Sequence, residues 1–197
     1  VNWTDRPIAL RPGGASEDGQ EPDVTGCWSG VLVNDRGRPV IVYSGDDHGE
    51  QTACLAYGDP LLETWVKEES NPVIAGPPVG FNITEFRDHC VWREGGVWRQ
   101  LIGSGLSGEG GCAFLYESDD LLVWRELGPL ALGDAAARAA DDPLWSGTMW
   151  ECVDFFRFTD DGRTTAPDAA SGDPHVMLFS AWDHGRTLHP LAAIGRY

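Results

Sequence analysis

Gly110-Gly111-Cys112-Ala113-Phe114-Leu115-Tyr116-Glu117, then Ser118-Asp119-Asp120-Leu121-Leu122, then Val123-Trp124-Arg125-Glu126, is the run from which the rest of the chain is read. Its first eight residues are an apolar, aromatic stretch bounded by glycines and acids, the pattern of a buried strand. The Asp-Asp segment is a turn, and Val123 opens another strand. Tyr116 and Trp124 stand eight residues apart, and so do Tyr57 and Trp65. Trp3, Trp65 and Trp124 are separated by 62 and 59 residues, and each leads to a proline, at Pro7, Pro72 and Pro129. Four short strands within such a period describe one blade of a β-propeller.

Outward from this run, the first round has strands at 26–33, 39–45 and 51–57, with a fourth from Thr64, and a turn at 34–38. The second has strands at 87–93, 97–103 and 110–117 before the Val123 strand. A third starts at Met149-Trp150-Glu151-Cys152-Val153-Asp154-Phe155-Phe156, crosses a polar turn at 159–174, and continues at 175–180 and 193–197. Residues 2–10 read as the end of a strand and a turn, residues 11–25 as a loop, and Ala135–Ala140 as a short helical turn. The expectation is an all-β arc of about three blades with no helix longer than two turns. The innermost strands should lie near 28–33, 87–92 and 151–156. On this count the chain holds the last strand of one blade, two blades nearly complete and the start of another, so it reads as part of a longer domain.

The chain has 197 residues, with 31 acidic against 14 basic and a formal net charge of −17. That field opposes phosphate backbones, so no nucleic-acid partner is expected. No apolar stretch is long enough to cross a membrane as a helix, and no membrane partner is expected. The five cysteines, at 27, 54, 90, 112 and 152, include no CxxC pair and read as free thiols in strands. The five histidines lack the short spacing of a zinc site, and no metal or cofactor is expected. Ser29 and Ser146 each sit in Trp-Ser-Gly, without the G-x-S-x-G elbow of a serine hydrolase. Asn2-Trp3-Thr4 and Asn82-Ile83-Thr84 match the glycosylation sequon. Compartment is left open.

Chemistry is sought at carboxylates. Glu151 lies in an apolar stretch between Trp145 and the Phe155-Phe156 pair, and desolvation holds a carboxyl protonated for use as an acid. Asp88 lies near the start of the preceding blade's first strand, as Glu151 does in the next. The repeat therefore sets both on neighbouring inner strands, an arrangement suited to glycosidic bond cleavage. Arg87 is placed to pair with Asp88 or bind a hydroxyl, and Trp28, Trp150 and Trp182 are candidate sugar-stacking rings.

With these residues in view, the chain resembles the catalytic five-bladed β-propeller of the family 32 glycoside hydrolases: invertases, levanases, inulinases and sucrose-6-phosphate hydrolases. Gly26-Cys27-Trp28-Ser29-Gly30 is similar to the family's Gly-Cys-Phe/Trp-Ser-Gly stretch, Phe86-Arg87-Asp88 to its Arg-Asp-Pro motif, and Trp150-Glu151-Cys152 to its Glu-Cys motif. Tyr116-Glu117-Ser118-Asp119-Asp120-Leu121 with Trp124 resembles the segment between them. The resemblance implies a retaining, metal-free hydrolase of terminal β-D-fructofuranosyl linkages. Glu151 would be the general acid/base. Asp88 would be the transition-state stabiliser, with Arg87 beside it. Trp28, Ser29 and Trp150 would bind substrate, and Cys152 would support Glu151. It also implies departures. The family nucleophile, an Asp in Asn-Asp-Pro-Asn-Gly, would precede Val1, and Asp5 does not match it, so no nucleophile is expected within this chain. His89 stands where the family has Pro. Two alternatives stay open, a non-catalytic sugar-binding remnant and a fructosyltransferase of the same fold.

Overall fold

The computed structural model describes residues 2–13 and 21–197, and the part of the expected 11–25 loop at 14–20 lies outside them. Among the described residues the regular structure is strand, apart from one 3-10 turn at Ala135–Ala137. The chain divides into two compact units, Val1–Gly76 and Pro77–Tyr197.

The first unit carries one antiparallel sheet in chain order: β1 Gly26–Asp35, β2 Arg38–Asp47, β3 Glu50–Gly58 and β4 Trp65–Lys67. The second carries two. One is β5 Ile83–Glu94, β6 Val97–Leu106, β7 Gly110–Ser118 and β8 Arg125–Leu132, again in chain order. The other contains β9 Met149–Phe158, β10 Thr164–Thr165, β11 His175–Asp183 and β12 Arg186–Gly195, in the order β10-β9-β11-β12. Two sheets are thus four-stranded blades. The third is the first three strands of a blade, and its two-residue β10 is clipped to the far end of β9 at Arg157 and Phe158. That fourth partner was not legible in the 159–174 turn.

The eight-residue Tyr–Trp spacing has a local cause. In the first unit Asp59 accepts backbone N–H bonds from Leu61, Glu63 and Thr64, which hold its carboxyl down at about 2, with the Thr64 hydroxyl the largest contributor. In the second, Asp120 accepts from Leu122 and Val123, and Ser118 from Leu121. Leu62 and Leu121 occupy the same place in the two turns, and both have left-handed backbone, φ 58° and 69°. Side-chain oxygens replace the ladder bonds that the turning backbone gives up. Several strand pairs meet instead at two-residue turns with both φ positive: Arg36-Gly37, His48-Gly49, Gly95-Gly96 and His184-Gly185. Such turns match the right-handed twist of the flanking strands.

The expected strand at the N-terminus is corrected. Residues 2–10 form none, and Trp3 is 93% exposed. Its spacing copies the repeat, but no described strand pairs with it.

The core of the second unit lies between its two sheets. Trp92, Leu101, Ala113 and Leu115 from one meet Trp150, Val153, Phe155, Met177 and Phe179 from the other. β9 runs against β5, β6 and β7. It comes close because β6 has Gly103 where any side chain would overlap the Trp150 carbonyl oxygen. This close approach brings the Glu151 strand to the Asp88 strand.

Candidate active site

Register shifts mark the first strands, one in β1, one in β9 and two in β5, of which the other β5 shift lies between Ile83 and Glu85. β1 shifts register between Cys27 and Gly30, leaving Trp28 and Ser29 opposite a single β2 residue. β5 shifts between Arg87 and His89, making Asp88 the extra residue. β9 shifts where Cys152 and Val153 oppose one β11 residue. A bulge bends its strand and re-aims a side chain. Here three of the four shifts fall at Trp28-Ser29, Asp88 and Cys152, in the stretches singled out in the sequence. Asp88 and Cys152 also have left-handed backbone, φ 65° and 50°. Non-glycine residues held there carry strain that clusters at functional positions.

The second unit assembles five of the expected residues, Arg87, Asp88, Glu151, Cys152 and Trp182. Arg87, only 8% exposed, donates from Nη2 to Glu151 Oε1 at 2.9 Å and from Nη1 to Glu85 Oε2. Its guanidinium also lies over the Trp182 ring, 5.2 Å from the centroid. Glu151 Oε2 takes a second bond, from the Thr187 hydroxyl at 2.6 Å. Asp88 Oδ2 accepts the backbone N–H of Cys152 at 2.8 Å, so the carboxylate of one inner strand is tied to the residue next to Glu151 on the other.

Burial pushes the Asp88 carboxyl above its usual value. The Cys152 N–H and the Arg87 charge oppose that, and the Glu151 charge adds to it. The Cys152 thiol is likewise raised, first by desolvation and then by Asp88 and Glu151. The arrangement is a buried cation bridging two carboxylates, Glu151 and Glu85, beside a third, Asp88, whose proton affinity burial raises. A carboxyl with a raised proton affinity beside a buried cation and further carboxylates is an arrangement found at acid/base sites.

Two expectations need correcting. The setting of Glu151 is not purely apolar, since it accepts hydrogen bonds from Arg87 and Thr187. Successive strand residues face opposite ways, so Trp150 points into the core. There Trp150 is 3% exposed and stacks on Phe179, with centroids 4.0 Å apart, and it offers no open face to a sugar. Trp182, packed under Arg87, is half-buried. Trp28 and Ser29 are exposed at the β1 bulge of the first unit, where the Trp28 ring covers Gly26. His89 is buried. All five cysteines are free. Cys54 and Cys112 are buried, and Cys152 is exposed.

Sequence reading missed Glu85 and Thr187. Glu85 sits two residues before Arg87, and that spacing was the available signal. Thr187 reaches Glu151 across β11, and no local pattern announces it. A cleft of about 440 Å³ opens beside the Arg87 cluster, lined among others by Glu85, Glu109, Trp145, Trp182 and His184. The first unit holds an unforeseen polar cluster of its own. Asp23, 1% exposed, receives Tyr43 Oη at 2.7 Å and Lys67 Nζ at 2.9 Å. Burial raises the Tyr43 hydroxyl and lifts the Cys27 thiol to about 12. Among the described residues no group of three His, Cys, Asp or Glu could hold a metal ion, and no helix is long and apolar enough to cross a membrane.

The family model described as the glycosyl hydrolases family 32 N-terminal domain matches residues 1–197. A fructan 6-exohydrolase from Beta vulgaris is 34% identical over 214 residues, covering 100% of this chain and 31% of its own length. A cell wall isozyme of β-fructofuranosidase from Zea mays is 35% identical over 210 residues, covering 100% and 32%. Among solved structures, a variant of fructan 1-exohydrolase IIa from Cichorium intybus in complex with 1-kestose superposes with a TM-score of 0.76 at 30% identity, covering 100% of this chain and 34% of that one. The chain therefore spans about a third of the length of these relatives.

Proposed function

For a chain that belongs to glycosyl hydrolase family 32, we propose a part in retaining cleavage of terminal β-D-fructofuranosyl linkages, in sucrose or fructans. Glu151 serves as the general acid/base, and Asp88 holds the fructosyl hydroxyls as the transition state forms. The observation that carries this reading is the Arg87 clamp on Glu151 together with the Asp88 bond to the Cys152 N–H.

In the first step the C2–O bond to the leaving group breaks, and its electron pair stays on oxygen. Glu151 supplies the proton to that oxygen, while a carboxylate nucleophile bonds to C2. In the second step water attacks C2, its proton passes to Glu151, and the nucleophile is released. Arg87 keeps the Glu151 carboxylate at a fixed angle through both steps, where small misplacements are expensive. Asp88, raised in proton affinity by burial, suits hydrogen bonding to sugar hydroxyls while positive charge develops at C2. Cys152 contributes to substrate binding in this reading.

Within residues 1–197 no aspartate matches the family nucleophile motif. Residues 1–197 are then one part of a five-bladed catalytic propeller, a reading supported by the span of about a third of the relatives' length. The isolated chain is expected to release no fructose. The test is fructose release from sucrose, 1-kestose, inulin and levan by the protein as its organism makes it. Turnover of at least one, lowered 10²-fold or more by Glu151→Gln, is the expected result. Turnover unchanged by that substitution removes Glu151 from the mechanism. Transfer of fructose to sugar in place of water would identify a fructosyltransferase.

A further inference from the structure

We infer that Glu151 gives and recovers its proton through Oε2 alone, and that Thr187 is the positioning residue that holds this oxygen in both protonation states. The inference rests on the acid/base reading of Glu151 above and adds to it which oxygen acts and what steers it.

The two carboxylate oxygens have partners of different kinds. Oε1 accepts from Arg87 Nη2 at 2.9 Å. A guanidinium has donors only and stays charged, so a proton on Oε1 would point at an N–H. Oε1 is thereby kept as an acceptor throughout the cycle. Oε2 faces the Thr187 hydroxyl at 2.6 Å. A hydroxyl has one donor and two acceptor positions and rotates to suit. It donates to Oε2 when Glu151 is ionised and accepts from Oε2–H when Glu151 is protonated. The same contact survives both states, so the carboxyl does not turn away when its proton leaves.

Burial sets the direction. Arg87 is buried and lies behind the carboxylate, whereas Thr187 is exposed. Oε2 therefore lies on the open side, from which a glycosidic oxygen would approach. When substrate binds, the Oε2 proton swings from the Thr187 oxygen to the leaving-group oxygen. In the second step Oε2 receives the proton of the attacking water while Thr187 donates to it again. No proton is gained or lost by Thr187, which changes only the direction of its hydrogen bond.

Thr187 reaches this place because β12 returns from the His184-Gly185 turn and pairs Thr187 with Trp182, just beyond the register shift of β11. The titratable and charged groups of the cluster are Glu85, Arg87 and Asp88 on β5 and Cys152 on β9, while Asp183, His184 and Arg186 flank Thr187 along the chain at the β11–β12 turn. Replacing Thr187 removes none of them.

The bond from a hydroxyl to an ionised carboxylate is charge-assisted and stronger than its reverse from a neutral carboxyl. Deleting the hydroxyl therefore favours the protonated acid. The test is the pH profile of kcat/KM for fructose release by the protein as its organism makes it, with Thr187→Val and Thr187→Ser. The alkaline limb should move up by about half to one pH unit in Thr187→Val, and Thr187→Ser should follow the unsubstituted protein. A merely structural role lowers the rate at all pH values and leaves the limb in place. Superimposable limbs for Val and Thr, or a serine variant that moves as far as valine, would overturn the inference while leaving Glu151 as the acid/base. Absence of fructose release from the unsubstituted protein would overturn the acid/base reading and this inference with it.

Discussion

Arg87→Met is the perturbation that most directly probes how the cluster is held. Methionine keeps much of the buried stem and removes the charge and the fork. Glu151 and Glu85 then lose their common cation, with side chains that are 18% and 23% exposed. Removing one partner of a fully buried ion pair costs about 3–5 kcal/mol. Both carboxylates keep about a fifth of their surface in water, so the expected loss is nearer ~2–3 kcal/mol after that discount. Urea unfolding at neutral pH measures it, read by tryptophan fluorescence. Six of the nine tryptophans lie in residues 77–197, so the signal reports chiefly on the unit that holds the cluster. Arg87→Lys, a cation without the fork, should fall between the two. Adding Glu151→Gln to Arg87→Met should return about 1 kcal/mol or more, because the unpaired charge is gone. A loss below ~0.5 kcal/mol, within the range of an ordinary surface substitution, would refute the reasoning. So would strict additivity of the two substitutions.

Two other outcomes are expected. Asp88 has a raised proton affinity in the folded chain, so the fold binds its proton more tightly than the unfolded state does. Its ionisation therefore removes stability as pH rises from the ordinary carboxylate range through the raised value, and the cost persists above it. Asp88→Asn, which can still accept the Cys152 N–H, should be more stable than the unsubstituted chain at neutral pH and lose that advantage in acid, as thermal melts at the two pH values would show. In the first unit, Lys67→Met leaves Asp23 buried without its cation and should cost roughly 3 kcal/mol, with partial recovery in Lys67→Met/Asp23→Asn, measured by urea unfolding.

The blades were legible because their signal is local. Tyr57, Trp65, Tyr116 and Trp124 flank turns that their own Asp and Ser side chains close. The same reasoning failed at Trp3, where the spacing recurs but a strand also needs a neighbour to pair with. Asp88 and Glu151 were singled out because equivalent first strands repeat. Trp150 was misplaced for a reason the sequence contains: strand side chains alternate, so the residue before Glu151 faces the opposite way, into the core. The bulges at Asp88 and Cys152 break that alternation locally, and they depend on the pairing with β6 and β11. Thr187, Lys67 and Asp23 were out of reach, since each acts through a contact between distant segments of chain.

The roles given to the two carboxylates separate in one measurement: initial rates on a β-fructofuranoside with an activated leaving group, with and without azide, for Glu151→Gln and Asp88→Asn in the protein as its organism makes it. Azide needs no general base, so it can replace the water that Glu151 would activate in the second step. Glu151→Gln should recover part of its rate with azide and form a fructosyl azide. Asp88→Asn should stay slow, because transition-state stabilisation is not restored by a nucleophile. Rescue of Asp88→Asn with none for Glu151→Gln would contradict the assignment.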